Sequence, residues 1–154
     1  MNELSFRIMG LHTKIQKNKN LSNVLKVLAG ASLFFSFYYC MGTKSIGNID
    51  KGQALLTNLV WIISIIVLIG LYFKDSHCVK NNKLIEFEIY RLEVEDLYNK
   101  KDVARITGKE LPDYVSNKQI DIPNEEVQFP IIYYGILMGL DIMIRIYLFV
   151  NNIL

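Results

Sequence analysis

The sequence predicts an all-α membrane protein: a helical hairpin, a third C-terminal apolar helix, and a cytoplasmic helical or small β segment between spans two and three. Three observations lead to this prediction. The 22 residues from Gly52 to Phe73 carry no charge, and a bilayer-spanning helix needs about 20 apolar residues. The 28 residues 127–154 carry only two charges. Residues 74–129, which separate these apolar segments, are polar and charged.

Residues 1–20 are predicted as an N-terminal amphipathic helix. Apolar side chains recur there at spacings of four, three and four, at Leu4, Ile8, Leu11 and Ile15. Such a stripe is typical of a helix that lies on a membrane surface or packs on a partner helix. The apolar core begins only after Lys26, so the segment does not have the pattern of a cleavable signal peptide.

Residues 21–73 are predicted as a two-span transmembrane hairpin. The first span covers about residues 24–41 and ends in a group of aromatic side chains, as is common at a membrane interface. A connector at 42–53 contains three glycines, which indicates a turn. The second span covers about residues 54–73, with Trp61 and Tyr72 as candidate interface anchors.

The distribution of Lys and Arg predicts the orientation in the cell membrane. Residues 1–26 hold five Lys or Arg, the connector holds two, and residues 74–129 hold nine. Because cytoplasmic loops carry the excess of basic residues, the N-terminus and residues 74–129 are predicted to be cytoplasmic. The protein is then a multi-pass protein whose hairpin connector faces outward.

Two structures are compatible with residues 79–101, which contain neither Gly nor Pro. As a helix, the segment places Leu84, Phe87, Val94 and Tyr98 on one face and brings Asp96 to Lys100 at i, i+4. As strands, it alternates apolar and acidic residues over 85–89 and 92–95. The alternation slips between these two runs, so we favour a helix that continues from the second span. After Gly108, three prolines indicate an irregular connection.

Residues 130–154 are predicted as a third transmembrane or membrane-embedded helix with a polar stripe. The stripe residues are spaced four, three, four, three and four: Tyr134, Met138, Asp141, Arg145, Leu148 and Asn152. Charges in a bilayer cost at least about 2.5 kcal/mol each, so they normally face protein or water. Asp141 and Arg145 either pair within the helix and fix its packing, line a wet or pore face, or form a proton or ligand site.

Gly135 and Gly139 form a GxxxG pair in the same segment. They lie roughly opposite the polar stripe. Small residues at this spacing let another helix approach closely within a membrane. We therefore predict a helix-packing face at these two glycines.

The sequence predicts no enzyme, no cofactor and no metal site. His12 and His77 lie in separate segments, and no phosphate-binding, dinucleotide-binding, serine-hydrolase or metalloprotease motif is present. A net charge of +2 with dispersed basic residues does not favour a nucleic-acid partner. The expected partners are the lipid bilayer, further copies of the chain, and a cytoplasmic protein or small-molecule signal.

The arrangement of residues 1–101 resembles the small two-span membrane effectors of bacterial anti-phage defence, the SLATT and related families. The shared layout is a basic N-terminal helix with Arg7, Lys14 and Lys17, then a hairpin, then a cytoplasmic helix or a small strand-rich domain. The resemblance implies an oligomer that permeabilises the inner membrane when a signal is sensed. The third apolar segment departs from that plan, and no functional residue carries over.

Three functions follow as expectations. The first is an oligomeric membrane protein that forms a pore or ion channel, or perturbs the inner membrane, in antiviral defence. The second is a non-enzymatic membrane anchor or accessory subunit that recruits a partner through residues 74–129. The third is a protein that binds a small molecule in that same segment.

Overall fold

The protein is all-helical, as predicted. The computed structural model describes residues 3–44, 51–108, 110, 120–124 and 126–150. Three helices account for most of this chain: α1 (Glu3–Lys44), α2 (Lys51–Thr107) and α3 (Ile131–Val150). Within those ranges there is no β-strand, which confirms the helical interpretation of residues 79–101 over the strand alternative.

The first helix is longer than any single element predicted for the N-terminal part. α1 runs without interruption for 42 residues, so the amphipathic helix at 1–20 and the first span are parts of one helix. The physical reason is that residues 16–24 contain neither Gly nor Pro, and no other residue breaks a helix as strongly. The helices also extend into the predicted connector, of which residues 45–50 lie outside the described chain.

The second helix joins the second apolar segment to the charged segment that follows. α2 contains 57 residues, about 85 Å at 1.5 Å per residue. It ends at Thr107, directly before Gly108, whose φ of 62° is a left-handed conformation that favours glycine at a helix end. The predicted Asp96–Lys100 pair is present, with 2.6 Å between Oδ2 and Nζ.

The third helix begins directly after Pro130. Its first turn is closed by a hydrogen bond of 3.2 Å from the Tyr134 N–H to the Pro130 carbonyl. Proline suits this position because it has no N–H to leave unpaired at a helix start. The 20 residues of α3 are about 30 Å long, the thickness of a bilayer core. Residues 151–154, at the end of the predicted segment, lie outside the described chain.

The chain divides into two compact units. We call residues 1–19 and 79–127 the charged unit, and residues 20–78 and 128–154 the apolar unit. In the charged unit, Leu11 and Ile15 of α1 are buried against Ile89 and Leu92 of α2. The stripe predicted on residues 4–15 therefore packs on a helix of the same chain. Asn18 supports this contact by donating a 2.9 Å hydrogen bond to the Oδ1 of Asn82.

One face of α2 in the charged unit is only partly covered by the described chain, and Val94 on this face is half-buried. Leu84, Phe87 and Tyr98, which share this face as predicted, are exposed. The buried side chains of α2 in this unit, Ile89 and Leu92, lie on a different face. The charged unit thus combines an internal core with an exposed apolar surface.

The apolar unit has a small core in which all three helices meet. Ala29 of α1, Leu68 of α2 and Tyr134 of α3 are buried together. The Tyr133 hydroxyl donates a 2.8 Å hydrogen bond to the Lys26 carbonyl, and this links α3 to α1 a second time. Ser32 and Ser64 form a further hydrogen bond of 3.3 Å between α1 and α2.

The apolar unit buries polar side chains beside its apolar core and exposes many large apolar side chains. The six buried polar or charged residues of the described chain all belong to it: Ser22, Ser36, Thr57, Ser64, Asp75 and Asp141. Large apolar side chains such as Phe34, Ile66 and Ile132 are exposed on its three helices. In a water-soluble protein, by contrast, large apolar side chains are among those most often buried.

Two helices contain segments that are long and apolar enough to cross a membrane. Their most apolar 18-residue windows, within Glu3–Met41 and Leu55–Thr107, have mean hydropathies of 1.5 and 2.3. Only 22% and 17% of these windows is buried. The core helix of a soluble protein can be equally long and apolar, but most of its surface is buried by its neighbours.

Candidate functional site

The polar stripe predicted on the last segment faces α2. Asp141 and Arg145 are one turn apart on α3 and meet Thr57, Asn58 and Trp61 near the start of α2. We call these five residues the Trp61 cluster. Asp141 is buried and Arg145 is half-buried. The structure thus brings the two charges of the segment to one protein surface within the chain.

Trp61 is the partner of Asp141. The indole N–H donates a 2.7 Å hydrogen bond to Oδ2 of the carboxylate. A hydrogen bond to an ionised acceptor is about twice as strong as a neutral one, and it is stronger still where water is absent. Trp61 has no other polar atom, so this bond uses its whole hydrogen-bonding capacity.

Arg145 binds the same stretch of α2 through three contacts. Its guanidinium donates hydrogen bonds to the Asn58 side-chain oxygen at 3.3 Å and to the Thr57 carbonyl at 3.2 Å. Its Cζ also lies 4.6 Å from the centre of the Trp61 ring, in the range of a cation–π interaction. One aromatic side chain therefore contacts both charges, with its edge N–H at Asp141 and its ring face at Arg145.

A direct ion pair within the third helix, one of the three alternatives for Asp141 and Arg145, is not formed in the described chain. Among the ion pairs of residues 3–44, 51–108 and 126–150, none joins Asp141 to Arg145. The reason is that α2 offers both side chains more specific partners: an N–H donor for the carboxylate, and two oxygens with an aromatic face for the guanidinium. The two charges remain near each other, but helix–helix contacts hold them.

The first helix also reaches this region. The thiol of Cys40 on α1 is buried and lies close enough to Asp141 and Arg145 to interact electrostatically with both. The first helix therefore also lies near the two charges. A buried charge destabilises a fold unless it is paired or hydrogen-bonded. Here α2 supplies partners for Asp141 and for two nitrogens of Arg145, whereas the buried Nε of Arg145 has none. These contacts can fix the position of α3 along α2.

The other stripe residues lie in the apolar core or beyond the described side chains. Tyr134 packs edge-on against Tyr72 at 5.6 Å between ring centres, and Met138 packs on the same core. Neither is part of the Trp61 cluster. The Leu148 side chain and Asn152 fall outside the described part of the chain.

The two glycines of the predicted packing face are exposed. A Cβ atom added to Gly135 or Gly139 would meet nothing within 4 Å. No described part of the chain packs on this face. The close approach of a second helix therefore stays a prediction, and that helix would have to come from another molecule. The neighbouring Ile132, Ile136 and Met143 are exposed as well.

The charged unit contains an open groove of about 360 Å³. It lies between α1, α2 and the connection before α3. Its charged and titratable lining is His12, Lys19, Glu86, Glu93 and Asp121. The groove has both signs of charge and no side chain that marks one ligand class.

Sequence reasoning missed the role of Trp61 and its neighbours on α2. The signal was present, because Thr57, Trp61, Ser64 and Leu68 are spaced four, three and four and so line one face of a helix. In a segment without charged residues, the face that carries the polar groups of Thr57, Trp61 and Ser64 is the face expected to pack on the other helices. Trp61, which the sequence suggested as an anchor at the membrane interface, lies on this face and donates a hydrogen bond to Asp141.

Comparison with known proteins returned no relative: no family model matches the chain, and no curated protein or solved structure matches it either.

Proposed function

We propose that this protein is a multi-pass protein of the cell membrane whose apolar unit is embedded in the bilayer. The observation that carries the proposal is the surface of that unit, where many large apolar side chains are exposed on all three helices while six polar or charged side chains are buried. Exposing one large apolar side chain to water forgoes about 1.5–3 kcal/mol of burial energy. Lipid removes that cost, and it also explains why buried Ser, Thr and Asp occupy the helix contacts.

We infer further that the protein acts as a non-enzymatic anchor or accessory subunit that holds a partner. The Trp61 cluster supports this function over a pore, because Asp141 and Arg145 are bound by α2 of the same chain. A pore-lining face needs polar groups that are open to water. The exposed apolar face with Leu84, Phe87 and Tyr98 in the charged unit offers a surface to a cytoplasmic partner protein. Large exposed apolar patches often mark such sites.

The Lys and Arg distribution supports an orientation for this anchor. With the N-terminus cytoplasmic, the charged unit is on the cytoplasmic side and available to cytoplasmic proteins or small molecules. The α3 helix, at about 30 Å, has the length of a third span.

The second candidate function is an oligomer that forms a pore or perturbs the membrane. The open face at Gly135 and Gly139 favours it, because a second copy could approach α3 closely there. A role in anti-phage defence rests on the resemblance of layout alone. In this function the conduit would form between copies of the chain.

One experiment separates the two functions. We expect proteoliposomes that contain the wild-type protein to retain an encapsulated fluorescent dye and to hold a potassium gradient. The reason is that Asp141 and Arg145, the two charges of α3, are bound by α2 of the same chain. The measurement is the rate of dye release and of ion flux per reconstituted protein, with protein-free liposomes as the baseline.

The same assay is carried out with two variants, Gly139→Leu and its control Ile136→Leu. Both positions are exposed on α3, but only the first substitution fills the glycine face. Flux in the wild type that is lost in Gly139→Leu and kept in Ile136→Leu would contradict the anchor and establish the oligomeric pore. Equal retention in all three samples supports the anchor.

A further inference from the structure

A second buried polar group lies in the apolar unit, away from the Trp61 cluster. Asp75 follows the second predicted span and is 0% exposed. Neither of its carboxylate oxygens has a hydrogen-bond partner, and the same holds for the buried hydroxyl of Tyr134 and the buried Oγ of Ser76. These orphaned oxygens are unusual, because nearly all buried polar atoms in proteins are hydrogen-bonded.

The Asp75 carboxylate and the Tyr134 hydroxyl are neighbours. Their side chains interact across the contact between α2 and α3. The Cys78 thiol, one turn further along α2, also interacts with both groups. Burial raises the pKa of this thiol above its usual value, and the Asp75 charge raises that pKa further.

No basic side chain of the described residues neutralises Asp75. None of their ion pairs involves this carboxylate. Neither of its oxygens accepts a hydrogen bond of ordinary geometry, although the Tyr134 hydroxyl is near enough to interact with it. A buried charge without a partner costs several kcal/mol. A bound ion of charge +1 would cancel the charge of a single carboxylate and use the free lone pairs of both oxygens.

We propose that Asp75 and Tyr134 form a binding site for a monovalent alkali cation of the Na⁺ class. Carboxylate and hydroxyl oxygens are hard ligands that suit hard cations. A divalent ion fits less well, because calcium takes six to eight oxygen ligands, typically with several carboxylates. The described residues contain no group of three or more His, Cys, Asp or Glu side chains that could hold a metal ion.

The cation would link α2 to α3 at the end of the apolar unit that contains Asp75. It would thereby stabilise the packing of Tyr134 on Ala29 and Leu68. The site does not depend on whether the protein is an anchor or a pore. The dye-release experiment therefore does not test the cation site, and the cation experiments below do not test whether the protein is an anchor or a pore.

The test is the melting temperature of the full-length protein in detergent. It is measured in chlorides of Li⁺, Na⁺, K⁺ and N-methyl-D-glucamine at fixed pH and ionic strength. We expect a saturable rise in the alkali salts, strongest in Na⁺. A ligand at 100 times its Kd should raise the melting temperature by about 5–10 °C in a protein of this size.

Three variants assign the effect to this site. Asp75→Asn should lose the cation-dependent rise, and Tyr134→Phe should require a higher Na⁺ concentration for the same rise. Asp141→Asn is the matched control: it also neutralises a buried aspartate, but one that is bound by Trp61, and it should keep the rise whatever its own stability.

Two results would overturn the proposal. One is a wild-type melting temperature that is the same in alkali and N-methyl-D-glucamine chlorides. The other is a cation-dependent rise that Asp75→Asn retains. If Asp75→Asn does not fold, equilibrium binding of radioactive Na⁺ to the wild type and to Tyr134→Phe decides: saturable binding weakened by the variant supports the site, and its absence refutes it.

Discussion

Replacement of Trp61 by leucine is expected to lower the free energy of unfolding by about 3–5 kcal/mol. The substitution removes the N–H that bonds to Asp141 and the ring that Arg145 covers. The buried Asp141 and the half-buried Arg145 then have fewer partners, and that cost is much larger than the loss of one neutral hydrogen bond. The measurement is chemical unfolding in mixed micelles, followed by circular dichroism.

Two further variants test the origin of this loss. Trp61→Phe keeps an aromatic face for Arg145 but has no donor, so it should cost about 1.5–3 kcal/mol, the value of a hydrogen bond to a charged group. The triple variant with leucine at 61, 141 and 145 should recover most of the stability, because a buried charged group can be replaced by apolar residues at little cost. Ile62→Leu, at an exposed position, is the control for mutation in this turn.

A loss below about 1 kcal/mol in Trp61→Leu would contradict the role assigned to the Trp61 cluster. So would a triple variant that is much less stable than Trp61→Leu. Either result would mean that Asp141 and Arg145 find their main partners elsewhere, such as on a second copy of the chain.

Ile66→Lys is expected to impair membrane insertion by about 2.5–3.5 kcal/mol, the cost of a lysine near the centre of a membrane helix. Ile66 is 62% exposed and lies within the second predicted span. The matched control is Leu84→Lys, on the same helix in the charged unit, where the side chain is 60% exposed. In water both substitutions would be equally harmless. In a bilayer only the first is costly.

The measurement is the inserted fraction of each variant in a membrane-translation assay with glycosylation sites on either side of the span. We expect the Ile66→Lys fraction to fall and the Leu84→Lys fraction to match the wild type. Equal insertion of the two variants would argue that Ile66 does not face lipid.

The helices were predictable because their causes are local. The charge-free run from Gly52 to Phe73 and the absence of Gly and Pro over residues 79–101 favour continuous helix in each part. The Asp96–Lys100 pair depends only on the i, i+4 spacing. The continuation of the second span into residues 79–101 was predicted and is confirmed by α2. The merging of residues 1–20 with the first span into α1 was not predicted, because the change in composition between them suggests a boundary although no residue there breaks the helix.

The partners of the polar stripe could not be predicted for the opposite reason. Asp141 and Trp61 are 80 residues apart, and periodicity identifies a face without identifying what covers it. The nearest residue of opposite charge, Arg145, was a reasonable local partner, but the contact between α2 and α3 supplied better ones. The same applies to Leu11 and Ile15, whose stripe was evident but whose partners, Ile89 and Leu92, were not.

The most direct test of the embedded apolar unit is the accessibility of a spin label at position 66 in lipid vesicles. The label is attached to Ile66→Cys in a background where the buried Cys40 and Cys78 are replaced by alanine, and Leu84→Cys serves as the comparison. We predict frequent collisions with oxygen and few with a water-soluble nickel chelate at position 66, and the reverse at position 84. Equal access of the nickel chelate to both labels would contradict a membrane location for the apolar unit.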